Sequence, residues 1–248
     1  MPLQPLSPRR LYRQIADQLR ALIDGGEFPA GTRLPPERDL ATQLGVSRPS
    51  VREALIALEV EGRVEVRMGS GIYVREAAAR SAAVEHEAES PLETIRARAL
   101  IESELAAYAA LHMKRAQVNG LREAMQLMAQ ESAAGQTPTH GDRLFHTRIA
   151  EASDNSVLLR VVSELFDERH NPLFEQLGSH FENARSWAVA IEEHRAVVDA
   201  IAHQSPQGAR EAMARHLANS HDRFMASWPA ETEAPARRPA RKTTRSTA

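Results

Sequence analysis

The stretch Leu34-Pro35-Pro36-Glu37-Arg38-Asp39-Leu40-Ala41, followed by Gly45-Val46-Ser47-Arg48-Pro49-Ser50-Val51-Arg52-Glu53-Ala54-Leu55, constrains the fold more than any other part of the chain. It reads as two short helices joined at a glycine. Ser47 is an N-cap, because its hydroxyl can accept a hydrogen bond from an orphan amide of the first turn. Pro49 in that turn removes no helical hydrogen bond. Val51, Leu55 and Leu58 recur at i, i+4 and i+7, one buried face, from which Arg48, Ser50 and Arg52 fall away. The first helix should start near Pro36, bury Leu40 and Leu44, and leave Arg38 exposed. Arginine can grip guanine O6 and N7 bidentately and serine can contact bases or phosphates, so the second helix is suited to the major groove of double-stranded DNA.

An earlier helix, Leu11 to about Gly25, repeats apolar residues at Leu11, Ile15, Leu19 and Leu22 or Ile23 and closes a three-helix core. After Gly62 the pattern changes to period two: Arg63-Val64-Glu65-Val66-Arg67, then Met68-Gly69-Ser70-Gly71, then Ile72-Tyr73-Val74. That is a hairpin whose glycines allow a tight turn. A hairpin directly after a recognition helix is a wing, with Gly69 at its tip. The bland alternative is amphipathic packing with solvated arginines. The cap, the helix spacing, the exposed arginines and the wing agree in order, which favours a winged helix-turn-helix over residues 1–76.

A net charge of -2 gives no global field to attract nucleic acid, so this segment must rely on where its arginines stand. With 248 residues the chain has room for two domains, each with its own core. The absence of cysteine excludes disulfides and thiolate zinc sites. No apolar run has the length of a membrane span and Met1-Pro2-Leu3-Gln4-Pro5 is not a secretory signal, so a cytoplasmic protein with no membrane partner is expected.

Residues 77–90 read as an alanine-rich linker. Over residues 91–228 helical periodicity runs through Pro91–Met113, Arg115–Ala134, Thr139–Ala152, Ser156–His170, Ala184–His203 and Pro206–Ser227. The fold class is mainly α: the winged domain, then an all-α bundle of roughly six helices. Residues 229–248 carry Arg237, Arg238, Arg241, Lys242 and Arg245 among alanine, proline and threonine, and read as a disordered basic tail. It could add weak DNA attraction or serve only as a solubilising extension.

Asp142 and His146 stand one helical turn apart and so share a face. His194 and His216 sit on two later helices whose neighbours, Ile191, Val197, Val198 and Ile201, and Met213, Leu217 and Phe224, should point inward. One carboxylate and three imidazoles suit a divalent cation, zinc first, with nickel or manganese as alternatives. The chain has 10 histidines, and the same pattern also reads as ordinary core and capping residues.

Residues from about Leu11 to Val74 resemble the winged helix-turn-helix of the GntR family of bacterial transcription regulators. The resemblance rests on Leu34-Pro35-Pro36-Glu37-Arg38-Asp39-Leu40-Ala41, Gly45-Val46-Ser47-Arg48, Val51-Arg52-Glu53-Ala54-Leu55 and Gly69-Ser70-Gly71-Ile72-Tyr73-Val74. It implies that Arg38, Ser47, Arg48, Pro49, Ser50, Arg52 and Gly69 form the operator-binding surface, although Met68 stands where many relatives place a basic or imidazole side chain. Asp142-Arg143-Leu144-Phe145-His146, Glu193-His194 and Arg215-His216-Leu217 resemble the FCD effector domain of the FadR branch, which implies that Asp142, His146, His194 and His216 hold a metal. Leu100-Ile101-Glu102-Ser103-Glu104-Leu105-Ala106, His170-Asn171-Pro172-Leu173-Phe174 and Gln176-Leu177-Gly178-Ser179-His180 look most like the hexuronate-utilisation repressors. That implies a small carboxylate effector, a hexuronate first; the expected assembly is a homodimer on a palindromic operator, one winged domain per half-site. Arg98 would neutralise the effector carboxylate, with Arg169, Asn171 and His180 as hydroxyl contacts. A regulator responding to lactate or a dicarboxylate, a metal-dependent hydrolase, and an architectural DNA protein are the competing readings.

Overall fold

The computed structural model describes residues 10–76 and 88–226. The first helix, α1 (Leu11–Asp24), buries Tyr12, Ile15, Ala16 and Leu19. Leu11, expected inside, is exposed; Tyr12 takes the buried place and donates its hydroxyl to the Ala88 carbonyl at 2.8 Å. Helix α2 (Glu37–Leu44) ends at Gly45, whose φ of 66° is a left-handed conformation that closes a helix at little cost only for glycine. That turn delivers the chain to α3 (Arg48–Val60), where the Ser50 amide donates to the Ser47 hydroxyl at 3.3 Å. The wing pairs β1 (Val64–Arg67) antiparallel to β2 (Gly71–Val74), with Val64 opposite Val74 and Arg67 opposite Gly71.

Then come α4 (Pro91–His112), α5 (Arg115–Ala133), α6 (Thr139–Glu151), α7 (Ser156–Asp167), a 3₁₀ turn over Glu168–His170, α8 (Pro172–Phe181), α9 (Ala184–Ala202) and α10 (Pro206–Ala226). Among the described residues this region therefore has seven α-helices, where the sequence pattern suggests six. The additional one is α8. Asn171 and Pro172 look like a helix stop, yet they start one: the Asn171 carboxamide oxygen accepts the Phe174 amide at 2.9 Å, and Pro172 fills the first helical position.

Two apolar clusters fill the interior. One lies inside the bundle and includes Leu121, Met128, Phe145, Val162, Phe166, Val197 and Met213. The other begins with Val51, Leu55, Leu58 and Val64 of the winged segment. It continues without a break into Leu92 and Ile95 of α4, Leu173, Phe174, Leu177 and Phe181 of α8, and Phe224 of α10. The expectation that the amino-terminal segment has a core of its own is thus corrected: α8 and the ends of α4 and α10 complete it. Of the linker expected over residues 77–90, residues 77–87 lie outside the described part, as does the basic tail. Among the described residues no helix is long and apolar enough to cross a membrane.

Candidate functional site

Three helices converge on one buried point. Helix α6 supplies Asp142 and His146 from adjacent turns, α9 supplies His194 and α10 supplies His216. One ligand atom from each lies within 4.8 Å of all the others, and all four side chains are buried. His146 Nε2 is 3.2 Å from His194 Nε2, and Asp142 Oδ1 is 3.1 Å from His194 Nε2 and 3.6 Å from His146 Nε2. Outer carboxylates fix two of the rings. Glu102 of α4 holds His146 Nδ1, and Glu193 of α9 holds His216 Nδ1 at 2.9 Å. A carboxylate on the far nitrogen sets the tautomer and leaves the other lone pair directed inward. Three facing nitrogens and one carboxylate oxygen, each supported in this way or by packing, fit a divalent cation of the zinc type.

The electrostatics of three of the four groups agree. Burial opposes ionisation of Asp142, but hydrogen bonds to His146 and His194 hold its carboxyl well below the usual range. Glu102 is likewise buried, yet the Arg98 guanidinium and His146 hold it down to about 2. Burial and the neighbouring His194 push His216 down to about 3, and burial lowers His194 as well. Only His146 is raised: the attraction of Glu102 overcomes burial. Two neutral imidazoles beside an ionised carboxylate are in the protonation state that ligation requires.

A cleft opens against this centre. Arg98, Asp142, Arg169, Trp187, His216 and Arg223 line it, with Ser186 and Ser220 at hand. Arg98 donates to Glu102 at 2.6 Å and lies over the Phe166 ring at 3.9 Å, but its Nη2 is buried and meets no acceptor within the protein. The same holds for Trp187 Nε1. Arg169 donates to Glu182 at 2.6 Å and stands 3.8 Å from Asp142 Oδ2. Two unanswered buried donors among three guanidiniums mark a place for an anion rich in acceptors, because such groups are costly without a partner.

Of the four expected effector contacts, Arg98 and Arg169 line this cleft; Asn171 and His180 do not. Asn171 is occupied as the cap of α8 and donates to Glu168 at 3.0 Å. His180 meets Glu59 of α3 at 2.6 Å, because that face of α8 packs on the recognition helix rather than on the cleft. Arg223, Trp187, Ser186 and Ser220 were missed. Ser220 and Arg223 follow His216 by four and seven positions, and Trp187 precedes His194 by seven, so helical spacing from the clustered histidines could have found three of them.

At the other end, Arg38, Ser47, Arg48 and Gly69 are exposed, with Pro49 and Ser50 half-buried at the start of α3. Arg48 donates to Glu37 at 3.0 Å while about half of its side chain remains in solvent. Arg52 is the exception. It is 1% exposed, donates through Nε to Glu37 at 3.0 Å, and donates through Nη1 to the carbonyls of Phe224 and Met225 at 2.7 and 2.8 Å. Its assignment as an operator contact is therefore corrected for this arrangement, since the last turn of α10 covers it. Arg67, stacked on Tyr73 at 4.5 Å, is an exposed wing cation that the sequence reading did not single out.

The family described as bacterial regulatory proteins, gntR family, matches residues 11–74, and the FCD domain family matches residues 93–219. The chain is 36% identical over 227 residues to the Uxu operon transcriptional regulator of Escherichia coli K12, covering 88% of each chain. It is 38% identical over 225 residues to the Exu regulon transcriptional regulator of the same organism, covering 86% of this chain and 84% of that one. A putative L-lactate dehydrogenase operon regulatory protein, also from Escherichia coli K12, is 36% identical over 229 residues, with 86% of each chain covered.

Proposed function

This chain belongs to the gntR family of bacterial regulatory proteins and carries an FCD domain, and from that premise we propose that it represses hexuronate-catabolism genes and leaves its operator when a hexuronate enters the cleft. Membership of the family makes it a transcription regulator and not an enzyme. In our reading residues 1–76 bind DNA, residues 77–90 connect, and residues 91–228 sense the ligand. Asp142, His146, His194 and His216 hold a divalent metal, zinc before nickel or manganese. That ion supplies Lewis-acid affinity for a carboxylate oxygen. Arg98 orients the carboxylate through its unanswered Nη2, and Trp187 and the cleft serines meet hydroxyl groups. The relatives named for the Uxu and Exu systems support a hexuronate over a smaller acid.

The observation that carries this reading is Arg98: a buried guanidinium with a donor aimed at no protein acceptor, beside the four-ligand centre. Function as a homodimer is supported by α4, where Leu100, Tyr108 and Leu111 are all exposed at spacings that share one side of the helix. A two-fold dimer asks for a palindromic operator. The test is a mobility-shift titration on an operator duplex with galacturonate, glucuronate and lactate, before and after chelation. Release by an uronate that depends on metal is expected. Release by lactate alone would transfer the reading to a lactate sensor, and indifference to all three would end it.

A further inference from the structure

Helices α4 and α10 run antiparallel: Glu104 pairs with Arg210 at 2.7 Å, and one end lower Arg98 and Arg223 line the same cleft. The first turn of α4 and the last turn of α10 consequently lie side by side. Two consecutive residues of the recognition helix occupy both ends. Glu53 accepts the Leu92 amide at 3.1 Å and the hydroxyl of Ser90, the N-cap of α4. Arg52 takes the carbonyls of Phe224 and Met225 in the last turn of α10. An anion at a helix N-terminus and a cation at a C-terminus each answer the orphan backbone groups and the helix dipole there. Both side chains are buried, at 7% and 1% exposure, so neither contact is a solvated surface pair.

The α10 end is also tied to the cleft. Arg223, one residue before Phe224, donates to Glu193 at 2.8 Å, and Glu193 holds His216. On the DNA side Arg52 and Arg48 share Glu37, one on each carboxylate oxygen. From His216 to Arg48 every step is a bonded neighbour or a polar contact of 3.0 Å or less.

We propose that Arg52 and Glu53 form a two-pole clamp that seats the recognition helix on the paired ends of α4 and α10 and transmits cleft occupancy to Arg48. An anion that draws Arg98 and Arg223 together shifts α4 against α10, and the clamp can follow only one of them. Its release changes the tilt of α3 and, through Glu37, the setting of Arg48. The effector half of this inference rests on the proposed function; the clamp itself does not.

The test uses the full chain as wild type, Glu53→Gln and Arg52→Lys, with a duplex selected from random sequence for tight binding. Operator affinity is read with and without galacturonate or glucuronate, and uronate binding to the DNA-free protein is read by calorimetry. In the wild type, an allosteric ligand should change operator affinity by about 5- to 150-fold. In both variants that change should fall below about 2-fold while uronate affinity is kept, because neither residue lines the cleft. Full coupling in both variants would overturn the clamp. If neither uronate affects the wild type, the proposed function fails and hydrogen exchange decides the clamp alone. Operator binding should then alter exchange in peptides covering the first turn of α4 and the last turn of α10, since coupling is reciprocal, and Glu53→Gln should abolish that response. A wild type with no such response would refute the clamp.

Discussion

At the start of α3, Ser47 and Arg48 face solvent and are held by Ser50 and Glu37, neighbours within eleven residues. The Asp142 centre is assembled from α6, α9 and α10, is braced by Glu102 from α4, and is buried at the foot of the cleft. The first arrangement can lose Ser47 or Arg48 and keep the rest, because water replaces those exposed side chains. The second cannot, because every buried charge there is balanced by another. The same residue types thus serve two different physical regimes: at the surface they are weakly coupled and free to meet DNA, and in the bundle they are strongly coupled and committed to one another.

The sharpest way to break this comparison is Glu102→Ala. It strips the counter-charge from Arg98 and the orienting group from His146, and removing one member of a buried pair costs about 3–5 kcal/mol. Urea unfolding of the metal-free variant should show that loss; an unchanged midpoint would mean that the bundle centre tolerates unpaired charge as a surface does. Metal removal comes next. At a metal concentration about 1,000-fold above Kd, binding stabilises the folded state by about 4 kcal/mol. For a chain of this size each kcal/mol moves the thermal midpoint by about 2–4 °C. Chelation should lower the midpoint accordingly and leave Asp142→Ala, already without a site, where it was.

Arg48→Ala probes the other regime. It should weaken specific operator binding by about 1–3 kcal/mol per half-site with little change in unfolding. A variant that keeps full operator affinity would remove Arg48 from the reading surface. Glu193→Gln returns to the bundle, one step out from the clustered side chains. Losing an outer carboxylate should reduce metal affinity by about 10- to 100-fold, read by competition with a chromogenic chelator. It also carries a pH sign. Burial opposes it, but His216, Arg223 and Asn219 hold the folded Glu193 down to about 2, against 4.5 for an ordinary glutamate. Its stabilisation is therefore present above about pH 4.5 and is lost as pH falls toward 2. The metal-free wild type should lose its advantage over Glu193→Gln across that window.

How much of this was legible follows from the same contrast. The two-helix motif was readable because its cap, glycine turn and apolar spacing are local and each has a physical reason within a few residues. The four clustered side chains were legible only as one i, i+4 pair and two inward-facing histidines until a family resemblance joined them, since nothing in the spacing of Asp142 and His146 indicates which later histidine closes the set. Arg52 misled for a definite reason. It lies one turn from Arg48 and away from the Val51 stripe, so a helical wheel places it in solvent. What covers it is a helix end 172 residues further on. His180 and Asn171 misled similarly, because α8 was not expected and the face it turns to α3 could not be assigned.

The smallest expected effect is the most local. Ser47→Ala removes the hydroxyl that accepts the Ser50 amide and meets the Ser50 hydroxyl at 2.8 Å. An N-cap of this kind contributes about 1 kcal/mol. Because the amides it serves are exposed, water takes over part of that role, and Ser47→Gly should cost only a few tenths as much. Operator affinity should fall with the alanine variant, since a frayed first turn no longer holds Arg48 in place. Metal affinity of the DNA-free protein should not move, because Ser47 lies off the path through Glu37 and Arg52 that joins α3 to α10. If it does, the first turn of α3 and the bundle centre are energetically one unit, and the division between a forgiving surface and a committed interior fails at the place where it was drawn most clearly.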